Sequence, residues 1–167
     1  MILRALVILL TSTIAPIPAE AQVRLLGGGG LSTPVGSFGD RAEVGWHAEA
    51  GLQLSVPAVP IALRGDGGYH SFGEASPQPK TSVLAGALSA VVGLPGVGLV
   101  PYLLGGIGMY RTSEDGGGVR SDSGFHAAFG VDIGAAGFGG FGEVRFVNVS
   151  APGSDTRFVT ATLGLRL

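Results

Sequence analysis

Three histidines fall in segments where charged side chains recur at alternate positions. Glu43, His47 and Glu49 share one parity in EVGWHAEAGLQL, and Arg64, Asp66 and His70 share one in ALRGDGGYH. His126 with Asp132, then Glu143 with Arg145, and finally Arg166, repeat the device. Histidine beside carboxylate is a donor set for a divalent cation or for proton transfer. Arginine beside carboxylate makes a fixed ion-pair network instead. There is no His-x-His pair and no tight carboxylate spacing, so these side chains are expected to satisfy one another, with no metal, no cofactor and no catalytic residue among them.

Side chains two apart lie on one face only if the backbone is extended, so the charges must be carried by strands. In EVGWHAEAGLQL the other face reads Val44, Trp46, Ala48, Ala50, Leu52, Leu54. Val59, Ile61, Leu63 and Tyr69 do the same in the next segment, as do Phe125, Ala127, Phe129, Val131 and Ile133, and then Val144 and Phe146. At the end, Val159, Ala161, Leu163, Leu165 and Leu167 oppose Phe158, Thr160, Thr162, Gly164 and Arg166. With VRLLGGGGLSTPV, KTSVLAGALSAVV and VPYLLGGIGMYR the strands number about eight, as in the smallest usual closed membrane barrel. Connections alternate in kind: GSFGDRA, FGEASPQPKT, TSEDGGGVRSDS and SAPGSD are longer and polar, whereas SVPA, GLPGVG and GAAGFGG are short and uncharged.

A two-residue turn over Val56-Pro57 would set Glu49 opposite Arg64, His47 opposite Asp66 and Glu43 opposite His70. Moving the register by two would oppose Glu49 to Asp66, which like-charge repulsion disfavours. By the same logic Asp132 is expected to face Arg145, with Glu143 and Arg166 on neighbouring strands.

Composition decides which face meets water. Only 13% of residues are charged and 31 are Gly, while 46% are hydrophobic. An average soluble domain is about 25% charged. A water-facing exterior needs many more charges than this chain has, so the apolar faces are expected to meet lipid and the charges to fill a narrow lumen. Trp46, Tyr69, Tyr102 and Tyr110, near strand ends, are expected to form the aromatic girdles at the headgroups. The alternative is a secreted, lipocalin-like soluble binder with the faces reversed. A net charge of −2 and a single lysine, Lys80, exclude nucleic acid as a partner.

Residues 1–21 carry Arg4, a short apolar run and an Ala-Glu-Ala cleavage pattern, the features of a secretory signal peptide. Residues 22–167 are then one barrel domain, without cysteine for a disulfide or a lipid anchor.

PYLLGGIGMYR at 101–111, GEVRF at 142–146 and the closing TATLGLRL resemble the small bacterial outer-membrane β-barrel family that includes opacity-protein-like and OmpX-like barrels. The resemblance implies an all-β, eight-stranded antiparallel up-and-down transmembrane barrel in the cell outer membrane, with both termini periplasmic. It implies outer-membrane lipid and lipopolysaccharide as surroundings. It also implies that Val159, Ala161, Leu163, Leu165 and Leu167 form the assembly signal read by the barrel-assembly machinery. The family usually ends in Phe or another aromatic, and here Leu167 stands in that place.

Some barrels of this size are lipid A deacylases or palmitoyl transferases, and the deacylase pattern places Ser two residues after His. His126-Ala127-Ala128 has Ala there. The glycine runs LGGGGLSTP and LLGGIGMY lack the Lys and Ser/Thr of a phosphate loop. The expected role is therefore non-catalytic, structural or surface-interacting, for a monomer with a charged, filled lumen. A narrow pore for small solutes and a lipid A-modifying enzyme are the rivals. The connections hold Arg41, Arg111, Arg120 and Arg157 with Asp40, Glu74, Glu114, Asp115 and Asp122, a mixture suited to lipopolysaccharide phosphates or a surface partner.

Overall fold

A chain whose strands are apolar on one face and polar on the other must close on itself if neither face is to leave an unpaired edge. The structure, a computed structural model, describes residues 22–74, 80–135, 138–150 and 156–167, so the expected leader lies outside the described residues. Its strands are β1 (Gln22–Val35), β2 (Ala42–Ser55), β3 (Ile61–Glu74), β4 (Thr81–Gly93), β5 (Leu99–Glu114), β6 (Val119–Ala135), β7 (Phe138–Val149) and β8 (Thr156–Arg166), with one 3-10 turn at Gly36–Phe38 after β1. Each strand pairs with the next, and β8 returns antiparallel to β1 with Leu31 opposite Ala161. The fold is a closed eight-stranded antiparallel up-and-down barrel.

The faces are sorted as the alternation requires. Leu163 (77% exposed), Ile107 (70%), Leu88 (68%) and Leu63 (62%) point outward, whereas Arg64 (1%), His126 (2%) and Glu143 (3%) are inside. An exterior of contiguous Leu, Ile, Val and Phe is suited to hydrocarbon and not to water. Among the described residues no helix is long and apolar enough to cross a membrane. Strands do not need one.

Several expectations are corrected. The β2–β3 connection is not a two-residue turn: Val56, Pro57, Ala58 and Val59 form a turn closed by Val59 N–H donating to the Val56 carbonyl at 3.1 Å. Ala58 sits there at φ 66°, a left-handed position that costs a non-glycine residue about 1–2 kcal/mol. The longer connection shifts the pairing by four residues. His47 is opposite His70, Glu49 opposite Gly68, Gly51 opposite Asp66 and Gln53 opposite Arg64. The inward face survives because the shift is an even number.

Glu43 leaves the lumen for a different reason. A bulge between Glu43 and Trp46 inserts an extra residue into β2 and reverses its phase. Ala42 therefore points inward with His47, and Glu43 is exposed at the rim. Tyr102 and Tyr110 are also inside, 1% and 3% exposed, and are not part of a girdle. Trp46 and Tyr69 do face outward, with ring centroids 5.7 Å apart. Finally, TSEDGGGVRSDS is mostly paired strand: Thr112 opposes Arg120 and Ser113 opposes Val119, which leaves only residues 115–118 to turn the chain.

Candidate functional site

The lumen is filled in tiers. At the end bearing the 3-10 turn, Phe38 folds over the mouth and meets Phe72 edge-on at 5.0 Å, and Phe72 meets Phe158 at 5.4 Å. Ala42, Val83, Tyr110, Val147 and Val149 complete this apolar cork. It is built from strand ends whose inward positions carry Phe, Val and Tyr where the strand middles carry charge.

Below the cork lies a histidine tier. His47 and His70 stack with centroids 5.3 Å apart. The Ser32 hydroxyl bridges them, 3.2 Å from His47 Nδ1 and 3.0 Å from His70 Nδ1, and His47 Nε2 is 2.9 Å from Thr162 Oγ1. On the other wall His126 Nε2 lies 2.7 Å from Ser89 Oγ and its Nδ1 3.3 Å from the Tyr110 hydroxyl. Ser32 and Ser89 are buried, so neither Ser–His pair can meet a substrate from outside. No carboxylate hydrogen-bonds to these rings among the described residues, so the third member of a hydrolytic triad is not in place.

The charged tier crosses the middle. Glu143 is its hub: Oε2 accepts from Arg64 Nη1 and from the Tyr102 hydroxyl, each at 2.8 Å, and Oε1 accepts from Arg145 Nε at 2.9 Å and Nη2 at 2.7 Å. Arg145 Nη1 donates to Asp66 at 2.7 Å, and Arg64 Nη2 donates to Glu49 at 3.2 Å. Two guanidinium groups thus face three carboxylates in a nearly solvent-free space, where charge-assisted bonds are strong, although Arg64 Nε and Asp66 Oδ2, 3.5 Å apart, make no hydrogen bond among the described residues. Beside them, within the wall of Gly68, Ala85, Ala87 and Thr160, the free volume is about 10 Å³. That is room for about one water.

Arg166 and Asp132 form a separate ion pair toward the opposite mouth. The Arg166 guanidinium lies 5.1 Å from the Tyr102 ring and 5.5 Å from the Phe141 ring, so its unpaired N–H groups face π density. Asp132 is opposite Phe141, not Arg145 as expected. The expected network therefore divides into a central cluster of Glu49, Arg64, Asp66, Glu143 and Arg145, a His47–His70 pair, a separate His126 and a terminal Arg166–Asp132 pair. Sequence reasoning missed Ser32, Thr162, Tyr102 and the phenylalanine cork. The available signal for the cork was Phe158 on the otherwise polar face of the last strand.

Val159, Ala161, Leu163 and Leu165 lie on the outward side of β8, and Leu167 exchanges two backbone hydrogen bonds of 2.9 Å with Leu25.

No protein-family model matches the sequence, and comparison with curated proteins gives no match. Solved structures do match. Neisserial surface protein A superposes with a TM-score of 0.76 at 15% identity, covering 88% of this chain and 97% of that one. The chain has the fold of the small eight-stranded outer-membrane β-barrels. The N-terminal β-barrel domain of Pseudomonas aeruginosa OprF follows at a TM-score of 0.52, 12% identity and coverages of 89% and 98%. Ail, the attachment invasion locus protein of Yersinia pestis, gives 0.52 at 14% identity, covering 88% and 97%. Identities this low carry the architecture and leave function to the chain's own residues.

Proposed function

We propose that this chain is an outer-membrane β-barrel protein with a structural or surface-interacting role, without catalysis, whose lumen is closed to solutes. The observation that supports it most directly is the hub at Glu143, where two arginines and a tyrosine from three other positions of the wall converge on one carboxylate. A pore keeps its polar groups facing water. Here most of the charged groups pair with each other across the lumen, and the mouth at the 3-10 turn is stopped by Phe38, Phe72 and Phe158. On this reading the termini lie in the periplasm, the connections bearing Asp40, Arg41 and Asp115 with the flanking strand ends at Glu114 and Arg120 lie at the cell surface, and the outward residues of β8 carry the assembly signal.

The experiment is single-channel recording in planar bilayers. Wild type is expected to be silent, and a variant that opens both seals, with Glu49→Ala, Arg64→Ala and Phe158→Ala together, is expected to conduct. A steady wild-type conductance would support the narrow-pore reading instead.

A further inference from the structure

Between the histidine tier and the charged tier, one inward position carries no side chain. Gly68 stands opposite Glu49 of β2 and two residues before His70 on β3, and the small cavity of about 10 Å³ opens over it. A Cβ built at Gly68 would lie 3.5 Å from Glu49 Cβ and 3.5 Å from His70 Nε2. The space between those two side chains therefore exists because residue 68 is glycine.

Three polar atoms of the residues around this space make no hydrogen bond among the described residues. Asp66 Oδ2 is buried without a partner. Glu49 Oε2 is 3.6 Å from Arg145 Nη2, beyond hydrogen-bond reach, while its other oxygen serves Arg64. His70 engages Ser32 through Nδ1, which leaves Nε2 over the cavity. Buried polar groups bond to protein or to ordered water, and a buried water commonly makes about three such bonds. Carboxylate oxygens only accept, so the occupant must have two protons to give and a lone pair for an imidazole N–H. Water has that complement. A metal ion does not fit, since no three His, Asp or Glu side chains among the described residues are placed to hold one.

We infer that this cavity is a binding site for one ordered water, which donates to Glu49 Oε2 and Asp66 Oδ2 and accepts from His70 Nε2. The water also sets the histidine tier. With its proton on Nε2, His70 accepts at Nδ1 from the Ser32 hydroxyl. That hydroxyl has a single proton, so its oxygen accepts from His47 Nδ1, and His47 Nε2 accepts from the Thr162 hydroxyl. The two stacked rings hold opposite tautomers. One directed chain then runs from Thr162 to the carboxylates, joining two tiers that no direct hydrogen bond joins among the described residues. The site does not depend on which solvent bathes the outer wall.

The test uses the mature chain, residues 22–167, folded in detergent micelles with isotope-labelled histidine. Nitrogen shifts are expected to show His47 protonated at Nδ1 and His70 at Nε2, with a cross-peak from a long-lived water to the His70 Nε2 proton. Gly68→Ala puts a methyl in the water's place without a clash, its nearest contacts all being at 3.5 Å. In that variant the cross-peak is expected to vanish. The unfolding equilibrium constant in urea should rise about tenfold, a loss of about 1.4 kcal/mol, because three polar atoms lose their partner. A dry cavity would reverse the sign, since filling it while removing a strand glycine stabilises. Gly86→Ala, where an added Cβ meets nothing within 4 Å, is the control for the glycine change and should keep the cross-peak. No water cross-peak in wild type, the same tautomer on both rings, or a Gly68→Ala barrel at least as stable as wild type would each overturn the site. The wild-type spectrum decides even where Gly68→Ala does not fold.

Discussion

Arg64 and Glu143 meet at 2.8 Å although 79 residues separate them and their strands, β3 and β7, stand on opposite sides of the ring. A contact of that kind ties the two halves of the barrel through its centre. Backbone pairing alone fixes only neighbours, so this cross-lumen pair gives the wall a definite section.

The first prediction concerns the hub. Glu143→Ala leaves Arg64, Arg145 and Tyr102 without their shared acceptor, and breaking a buried ion pair on one side costs about 3–5 kcal/mol. Urea unfolding of the barrel in lipid vesicles measures it. Glu143→Gln keeps an acceptor oxygen and should recover part of the loss. A change below about 1 kcal/mol for the alanine variant would mean that water already solvates these groups.

The second concerns the sign of the outer face. Leu88, in the middle of β4, is expected to meet hydrocarbon, so Leu88→Arg should destabilise by about 2–4 kcal/mol, whereas Val119→Arg at the rim should cost about 0–1 kcal/mol. In a barrel bathed by water both changes would be nearly neutral. The same vesicle-based unfolding assay separates the two cases.

A third concerns the cork. Phe158 is fully buried against His70 and Phe72, with centroids 5.0 and 5.4 Å away. Phe158→Ala should cost about 3–5 kcal/mol through the cavity it leaves. Because the charged tier remains in place, bilayer recordings of this variant should stay silent. Conduction after removing this single ring would place the seal in the cork alone.

The fourth uses a glycine. Gly130 is opposite Tyr102 across β5 and β6, and a Cβ added at Gly130 would land on the Tyr102 ring. Gly130→Ala should displace the ring from Glu143 and cost about 1–3 kcal/mol by overpacking. Tyr102→Ala should remove most of that cost when combined with it. A double-mutant cycle with additive changes would show that the two residues do not constrain one another.

Much of the barrel was legible because period two is a strong signal when the two faces differ as sharply as Leu163 from Thr162, or Phe129 from Gly130. Strand number and outward faces follow from that pattern. Register does not, since it depends on turn geometry: Val56-Pro57 suggests a two-residue hairpin, and the turn held by Val59 and Val56 moves the pairs between that turn and the bulge by four. Arg64 reaches Glu49 all the same, because the lumen is narrow enough for a long side chain to bridge several rungs. Glu43 was misplaced because alternation cannot reveal a bulge. Tyr102 and Tyr110 were misplaced because GGIG leaves their strand without a contrasting partner face.

The most direct test of the account is to separate inner from outer membranes of cells making the protein and run the extract on a detergent gel, boiled and unboiled. The predicted result is a band confined to the outer-membrane fraction whose mobility changes on boiling, as a closed barrel with an apolar exterior requires. A soluble periplasmic protein with no heat-dependent shift would contradict it.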